Sequence, residues 1–133
     1  MPRHFLLYAD GGSRGNPGEA AFGAVISEDG KVVVELSERI GVATNNVAEY
    51  SGLVAGLQEI NRLDPEAKVL VRMDSKLIVE QMSGKWKIKN PEMKKMALKA
   101  RDAHPANLIT YEWIPREMNS DADALVNRAL DYF

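Results

Sequence analysis

The run His4 to Ala9 is mostly apolar and stops at Asp10, where the nine residues DGGSRGNPG hold four glycines and a proline. That contrast predicts a buried strand over 4–9 leading into a turn-rich loop over 10–18. Residues 20–27 and 31–39 read as two further strands, joined by a tight turn at Glu28-Asp29-Gly30 because Asp-Gly is a strong hairpin signal. From Asn46 to Asn61 the apolar residues Tyr50, Leu53, Val54, Leu57 and Ile60 recur at helical spacing. A short strand is predicted over Val69–Met73 and a short helix over Leu77–Met82. Asn90-Pro91-Glu92 has the signature of a helix start: a capping Asn, a Pro in the first turn and an acid near the positive end of the dipole. Leu108–Ile114 is predicted as a strand. Asn119–Tyr132 closes the chain as a helix with Ala122, Leu125, Val126 and Ala129 on its buried face. The order β-β-β-α-β-α-α-β-α predicts a mixed α/β fold. Three antiparallel strands and then two parallel ones form a five-stranded mixed sheet with helices packed on it.

Composition narrows the function. At 133 residues, 45% hydrophobic and 27% charged, with no repeat or linker, the chain is expected to form one domain over 1–133, free-standing or as part of a longer fusion protein. The absence of cysteine excludes a disulfide framework, a thiolate metal site and a cysteine nucleophile, and fits a reducing, cytoplasmic setting. The first apolar run is too short for a signal peptide, and no run approaches the roughly 20 residues needed to span a membrane. The net charge of −2 hides an uneven distribution. Residues 85–101 carry Lys85, Lys87, Lys89, Lys94, Lys95, Lys99 and Arg101 against Glu92 alone, a local +6 that leaves −8 for the rest. Such a stripe is either a phosphate-binding face or a solvated helix surface.

Four acids fall at predicted element ends: Asp10 and Asp74 where strands finish, Glu49 and Asp123 in first turns of helices. Ends of one sheet can converge on one edge, where α/β proteins form ligand sites. Carboxylates gathered there repel one another unless a divalent cation is bound, and oxygen-only ligands select Mg²⁺ or Mn²⁺ over zinc. Two such ions about 4 Å apart can activate a water and stabilise the leaving oxygen of a phosphodiester. Each acid also has a local alternative. Asn46 to Glu49 and Ser120 to Asp123 have the spacing of capping pairs, Asp74 is placed to cap the helix starting near Ser75, and Asp10 is placed to open a glycine-rich turn.

Taken together and in order, DGGSRGNPG from Asp10, Thr44-Asn45-Asn46-Val47-Ala48-Glu49, Met73-Asp74-Ser75-Lys76, and Asn119 through Asp123-Ala124-Leu125 resemble the successive signatures of the ribonuclease H family, over essentially the whole chain. The resemblance implies a ribonuclease H-like fold and an endonuclease that hydrolyses the RNA strand of RNA–DNA hybrids, leaving 5′-phosphate and 3′-hydroxyl ends. It implies two Mg²⁺ ions, replaceable by Mn²⁺, on Asp10, Glu49, Asp74 and Asp123. Asp121 is the rival to Asp123, which is preferred because the family pattern puts the acid four residues after the Asn, here Asn119. Gly11, Gly12, Ser13, Arg14, Gly15, Asn16, Asn45, Asn46 and Lys76 are implied to meet the hybrid, telling RNA from DNA by its 2′-hydroxyls. A monomer is expected.

Two departures from the family pattern matter. The long basic protrusion of many bacterial members is absent or vestigial, with only SGKWKIKN between two helices; Lys85, Trp86, Lys87 and Lys89 are candidates to meet the DNA strand, with Trp86 alternatively anchoring the loop on the core. The loop that holds a histidine in many relatives reads IPREMN, with Arg116 in that region, so the chain is similar to a branch with arginine there. Arginine stays protonated, so a functional Arg116 acts electrostatically; the alternative is an ion pair with Glu117 or Glu112. Neither His4 nor His104 stands where the family histidine would, and both are expected to be satisfied surface or core residues. Two other readings remain: a relaxed member that also cuts double-stranded RNA, and a non-catalytic hybrid-binding module. Four mutually repelling acids beside a phosphate path weigh against the latter.

Overall fold

The computed structural model describes residues 2–131. Its five strands are β1 (His4–Gly15), β2 (Gly18–Glu28), β3 (Lys31–Ala43), β4 (Lys68–Met73) and β5 (Ile109–Trp113). The helices are α1 (Asn45–Leu63), α2 (Lys76–Met82), α3 (Pro91–Ala103) and α4 (Ser120–Asp131). Strand order is β3-β2-β1-β4-β5. β1, β2 and β3 pair antiparallel, whereas β4 runs parallel to both β1 and β5. This is the mixed sheet that the element order predicts.

Alternation along β1 sends Phe5, Leu7 and Ala9 to one face, where they meet Tyr50, Leu53, Leu57 and Ile60 of α1 and the apolar sides of β4, α2 and α3 in the main core. The opposite face carries a smaller cluster of Ala21, Val126 and Leu130 under α4. Asp29 and Gly30 both take positive φ (53° and 78°), which makes the two-residue turn between β2 and β3. Asn90 caps α3, accepting from Met93 N at 3.1 Å. His104 is 1% exposed, with its ring nitrogens against Asn61 and the Ala67 carbonyl, a satisfied core histidine; His4 is exposed. No helix among the described residues is long and apolar enough to cross a membrane.

Three local expectations fail. The glycine-rich stretch is not a loop: β1 continues through it to Gly15, paired residue by residue with β2 as far as Gly15↔Gly18, so Asp10 lies within a strand. What ends near Asp10 is the pairing with β4, whose last partners are Tyr8↔Arg72. Glu49 lies just past the first turn of α1 rather than within it, because the helix begins at Asn45 under a Thr44 cap whose hydroxyl accepts from Val47 N. Asn46 is therefore not a cap, and neither is Asp74, since Ser75 caps α2. The closing helix is described to Asp131, so the Tyr132 end of the expected helix lies outside the described residues.

Glycines set how closely the helices approach the sheet. A Cβ on Gly11 would stand 2.2 Å from Ala48 C and 2.4 Å from Glu49 N, so α1 touches β1 backbone to backbone. A Cβ on Gly23, the register partner of Asp10, would stand 2.4 Å from Ala122 O of α4. Gly11→Ala is expected to force β1 and α1 apart at Glu49 and to lower unfolding free energy by at least about 2–3 kcal/mol in urea denaturation, the upper range for overpacking, since backbone rather than a flexible side chain must move. A wild-type midpoint would disprove this close approach.

Candidate active site

β1 and β4 deliver the first two carboxylates. Their parallel register pairs Leu6↔Leu70 and Tyr8↔Arg72, and the next same-face step places Asp74 beside Asp10. One pleat below, Arg72 donates to Tyr8 OH at 2.9 Å and to Glu112 at 2.6 Å, bracing β1, β4 and β5 in a row. The close approach of α1 at Gly11 brings in Glu49. One carboxylate oxygen each from Asp10, Glu49 and Asp74 falls within 4.8 Å of the other two. Asp123, on the first turn of α4, faces the same pocket and raises the proton affinity of both Asp10 and Asp74, though it lies outside that three-oxygen cluster. Asp121 is exposed and does not line the pocket.

Electrostatics mark this as a strained cluster. Burial, then repulsion from Asp74 and Asp123, pushes Asp10 up to about 7 against one favourable hydrogen bond from the Gly11 amide. Burial and the charges of Asp10 and Asp74 push Glu49 up to about 8, with Arg116 and a hydrogen bond from Ser75 acting the other way. Asp74 is also raised, chiefly by burial, while Arg116 and a hydrogen bond from Asn119 hold it down. An all-oxygen donor set that resists its own ionisation suits a hard divalent cation, whose charge would reverse the repulsion.

The pocket occupies about 420 Å³ and gathers, besides the four acids, Gly11, Gly12, Ser13, Arg14, Asn45 and Arg116. Arg116 sits in a single 3-10 turn, Arg116–Met118, after β5. The ion-pair alternative is not seen: Glu112 is held by Arg72, and among the described residues no ion pair joins Arg116 to Glu117. Ser13 N and Oγ both bond Asn45 Oδ1 (2.9 and 3.0 Å), and Asn16 Oδ1 accepts from Asn45 N at 3.1 Å. The β1–β2 tip is thereby tied to the start of α1. Arg14 lines the pocket but turns its guanidinium to Asp131 and the Leu130 carbonyl at the end of α4. Gly15 belongs to the tip, Asn46 lies in the first turn of α1, and Lys76 is exposed at the start of α2.

The basic segment lies elsewhere. Lys85, Trp86 and Lys87 line a separate cleft of about 560 Å³ against Lys94, Leu98 and Arg101 of α3, with Lys89 exposed nearby. Trp86 remains 45% exposed, so it does not anchor the loop in the core. α2 leads from Asp74 to this cleft, and its seven residues span roughly 10 Å. Sequence reasoning missed several partners. Ser75 serves Glu49, Asn127 donates to Asp123 at 3.3 Å, and the Trp113 indole N–H donates to the Asp74 carbonyl at 3.1 Å. None of these has a spacing signal of its own.

Comparison with known proteins gives a consistent picture. The reverse transcriptase-like family matches residues 8–129. The bifunctional protein Rv2228c of Mycobacterium tuberculosis is 52% identical over 130 residues, which is 95% of this chain but 35% of that protein. The chain thus spans about a third of that curated relative. The crystal structure of RNase H1 from Halobacterium salinarum matches with a TM-score of 0.91 at 38% identity, covering 96% of this chain and 98% of that one. LC11-RNase H1 in complex with an RNA/DNA hybrid matches with a TM-score of 0.89 at 41% identity, covering 96% of both.

The raised acids carry a pH signature in the metal-free protein. Folded Asp10 and Glu49 keep their protons to about 7 and about 8, whereas the unfolded chain releases them near 4. Between those limits the folded state binds more protons, so stability falls as pH rises from about 4 to about 8 and then levels. With chelator present, Asp10→Asn is expected to raise Tm at pH 8 and to change it little at pH 4. Identical pH profiles for the two proteins would rule out repulsion at this site.

Proposed function

We propose that this chain, which belongs to the ribonuclease H family, is an endonuclease that hydrolyses the RNA strand of RNA–DNA hybrids. The observation that carries the reading is the convergence of the Asp10, Glu49 and Asp74 oxygens within 4.8 Å, with Asp123 facing them. Support for the substrate comes from the hybrid-bound relative, with which the chain shares fold and 41% of its residues. In this reading the four carboxylates hold two Mg²⁺ ions, or Mn²⁺ in their place. When bound, these supply activation of a water and charge stabilisation at the leaving 3′-oxygen, leaving a 5′-phosphate on the product.

The chain's own residues divide the remaining work. The Ser13–Asn45–Asn16 network presents polar groups at the rim, where 2′-hydroxyls of a minor groove are to be read. Gly11 and Gly12 line the pocket beside the acids, where their backbone is proposed to meet the hybrid. The Arg116 guanidinium lies close enough to Glu49 and Asp74 to oppose their repulsion. Its proposed role is to hold the scissile phosphate by charge rather than to move a proton. Lys85, Trp86, Lys87 and Lys89 are proposed to grip the DNA strand. They follow the end of α2, the helix that starts beside Asp74, and Lys85, Trp86 and Lys87 line a cleft separate from the acidic pocket.

The deciding experiment compares labelled RNA–DNA hybrid, double-stranded RNA and double-stranded DNA, with and without Mg²⁺. Mg²⁺-dependent cleavage of the hybrid's RNA strand is expected, with Asp10→Asn and Asp74→Asn each lowering turnover at least about 100-fold, on the scale of losing one transition-state charge partner. Binding of hybrid without cleavage would favour the binding module, and equal cutting of double-stranded RNA the relaxed nuclease. Arg116→Ala is expected to lower kcat far more than it raises KM, with Arg116→Lys recovering only part because the planar fork is gone. Wild-type kcat in Arg116→Ala would take this residue out of the chemistry. For the basic cleft, Lys85→Ala/Lys87→Ala should flatten the salt dependence of hybrid binding by about 0.9 for each phosphate that is no longer neutralised. An unchanged slope would make the stripe a solvated surface.

A further inference from the structure

Asn119 is 1% exposed, yet its side-chain oxygen has no hydrogen-bond partner among the described residues. A buried carbonyl left without a donor is unfavourable, so some stronger demand must fix this side chain. The demand lies at the other end of the amide. Asn119 Nδ2 donates to the carbonyl of Ala9 at 3.0 Å, the residue immediately before Asp10. The same side chain hydrogen-bonds the Asp74 carboxylate. Turning the amide over would set its oxygen against a carbonyl and a carboxylate, two acceptors with nothing to donate.

The backbone of Asn119 extends the pattern. Its N–H donates to Arg116 O at 2.9 Å, closing the turn that carries Arg116. Its carbonyl accepts from Asp123 N at 3.1 Å, which fixes the first turn of α4. One residue thus bonds to the strand ahead of Asp10, to the Asp74 side chain, to the Arg116 turn and to the main chain of Asp123.

We infer that Asn119 is a positioning residue for the proposed metal site: it aligns the strand bearing Asp10, the Asp74 carboxylate and the helix bearing Asp123 for joint coordination of a divalent cation. The inference rests on the metal-dependent reading above and adds to it a specific residue acting through the ligands. An apolar side chain of similar size would fill the same space with no orphaned oxygen, so packing alone does not account for an asparagine here. Groups that orient metal ligands typically change metal affinity by about 10–100-fold when removed.

The test titrates Mn²⁺ into substrate-free wild type, Asn119→Ala and Asn119→Ser by calorimetry, with Tm and circular dichroism to establish folding. Expected is a fall in Mn²⁺ affinity of about 10–100-fold in Asn119→Ala, a smaller fall in Asn119→Ser, which keeps a donor, and kcat on hybrid falling while KM stays within about twofold. Unchanged Mn²⁺ affinity in a folded variant, or failure of both variants to fold, overturns the inference in favour of a purely structural role. A wild-type protein that takes up no Mn²⁺ overturns the metal reading itself, and this inference with it.

Discussion

Everything at the active edge depends on places where helix and sheet meet without a side chain between them. At Gly11 the α1 backbone rests on β1, and at Gly23 the α4 backbone rests on β2 beside Asp10. A normal helix-on-sheet layer is separated by side chains, and acids on the two layers would then stand too far apart to share a cation. Approach at backbone distance puts the α1-borne Glu49 against the strand-borne Asp10 and Asp74, and turns Asp123 of α4 toward the same pocket. The parallel register of β1 and β4 supplies the strand pair by itself; the glycines supply the helix pair.

That geometry opposes folding. Three carboxylates with displaced proton affinities sit where burial and mutual repulsion add, and Arg116, Ser75, Asn119 and the amides of Gly11 and Asp74 act against them. The surrounding structure compensates by over-determining the position of each acid. The Tyr8–Arg72–Glu112 row locks three strands one pleat below. The Trp113 indole holds the Asp74 carbonyl, and Ile114 N holds that of Met73 at 3.0 Å. Thr44 and Ser75 cap the two helices that start at the site. Local strain retained against stability in this way is the usual mark of a functional site.

Much of this was legible in the sequence, and the failures share a cause. The buried faces of α1 and α4, the Asp-Gly turn and the Asn90 cap follow from periodicity and local chemistry, and all four are present. The reading of 10–18 as a loop failed because glycine, serine and arginine have no strand preference of their own. There β1 is held by pairing with β2 through Gly15↔Gly18, a tertiary constraint that propensity does not contain. Asn46 and Asp74 looked like caps because capping spacing tolerates a shift of one or two residues, and Thr44 and Ser75 were better placed. The gathering of Asp10, Glu49, Asp74 and Asp123 was suggested by element ends. It became specific only through the combined family signatures, since Asp10 is not at a strand end and Glu49 is not in a first turn. The supporting bonds of Ser75, Asn127 and Trp113 depend on side-chain directions in three dimensions, for which one sequence offers no signal.

The charge distribution links these local facts into one device. The four acids of the pocket oppose a polyanion, Arg14 and Arg116 are the cations that line it among the described residues, and the chain as a whole carries −2. The denser positive charge lies apart from that pocket: Lys85, Lys87, Lys94 and Arg101 of the +6 segment line a separate cleft beyond the end of α2. In the proposed reading affinity and chemistry are separable: the basic cleft would set how tightly and how salt-sensitively a duplex is held, and the acidic pocket whether its phosphate is tolerated. Cations that neutralise the pocket would remove its repulsion, so in the proposed reading cation and hybrid should each strengthen binding of the other. By linkage that strengthening must be equal in both directions, and it follows from the positions of the two charged patches without any change of shape.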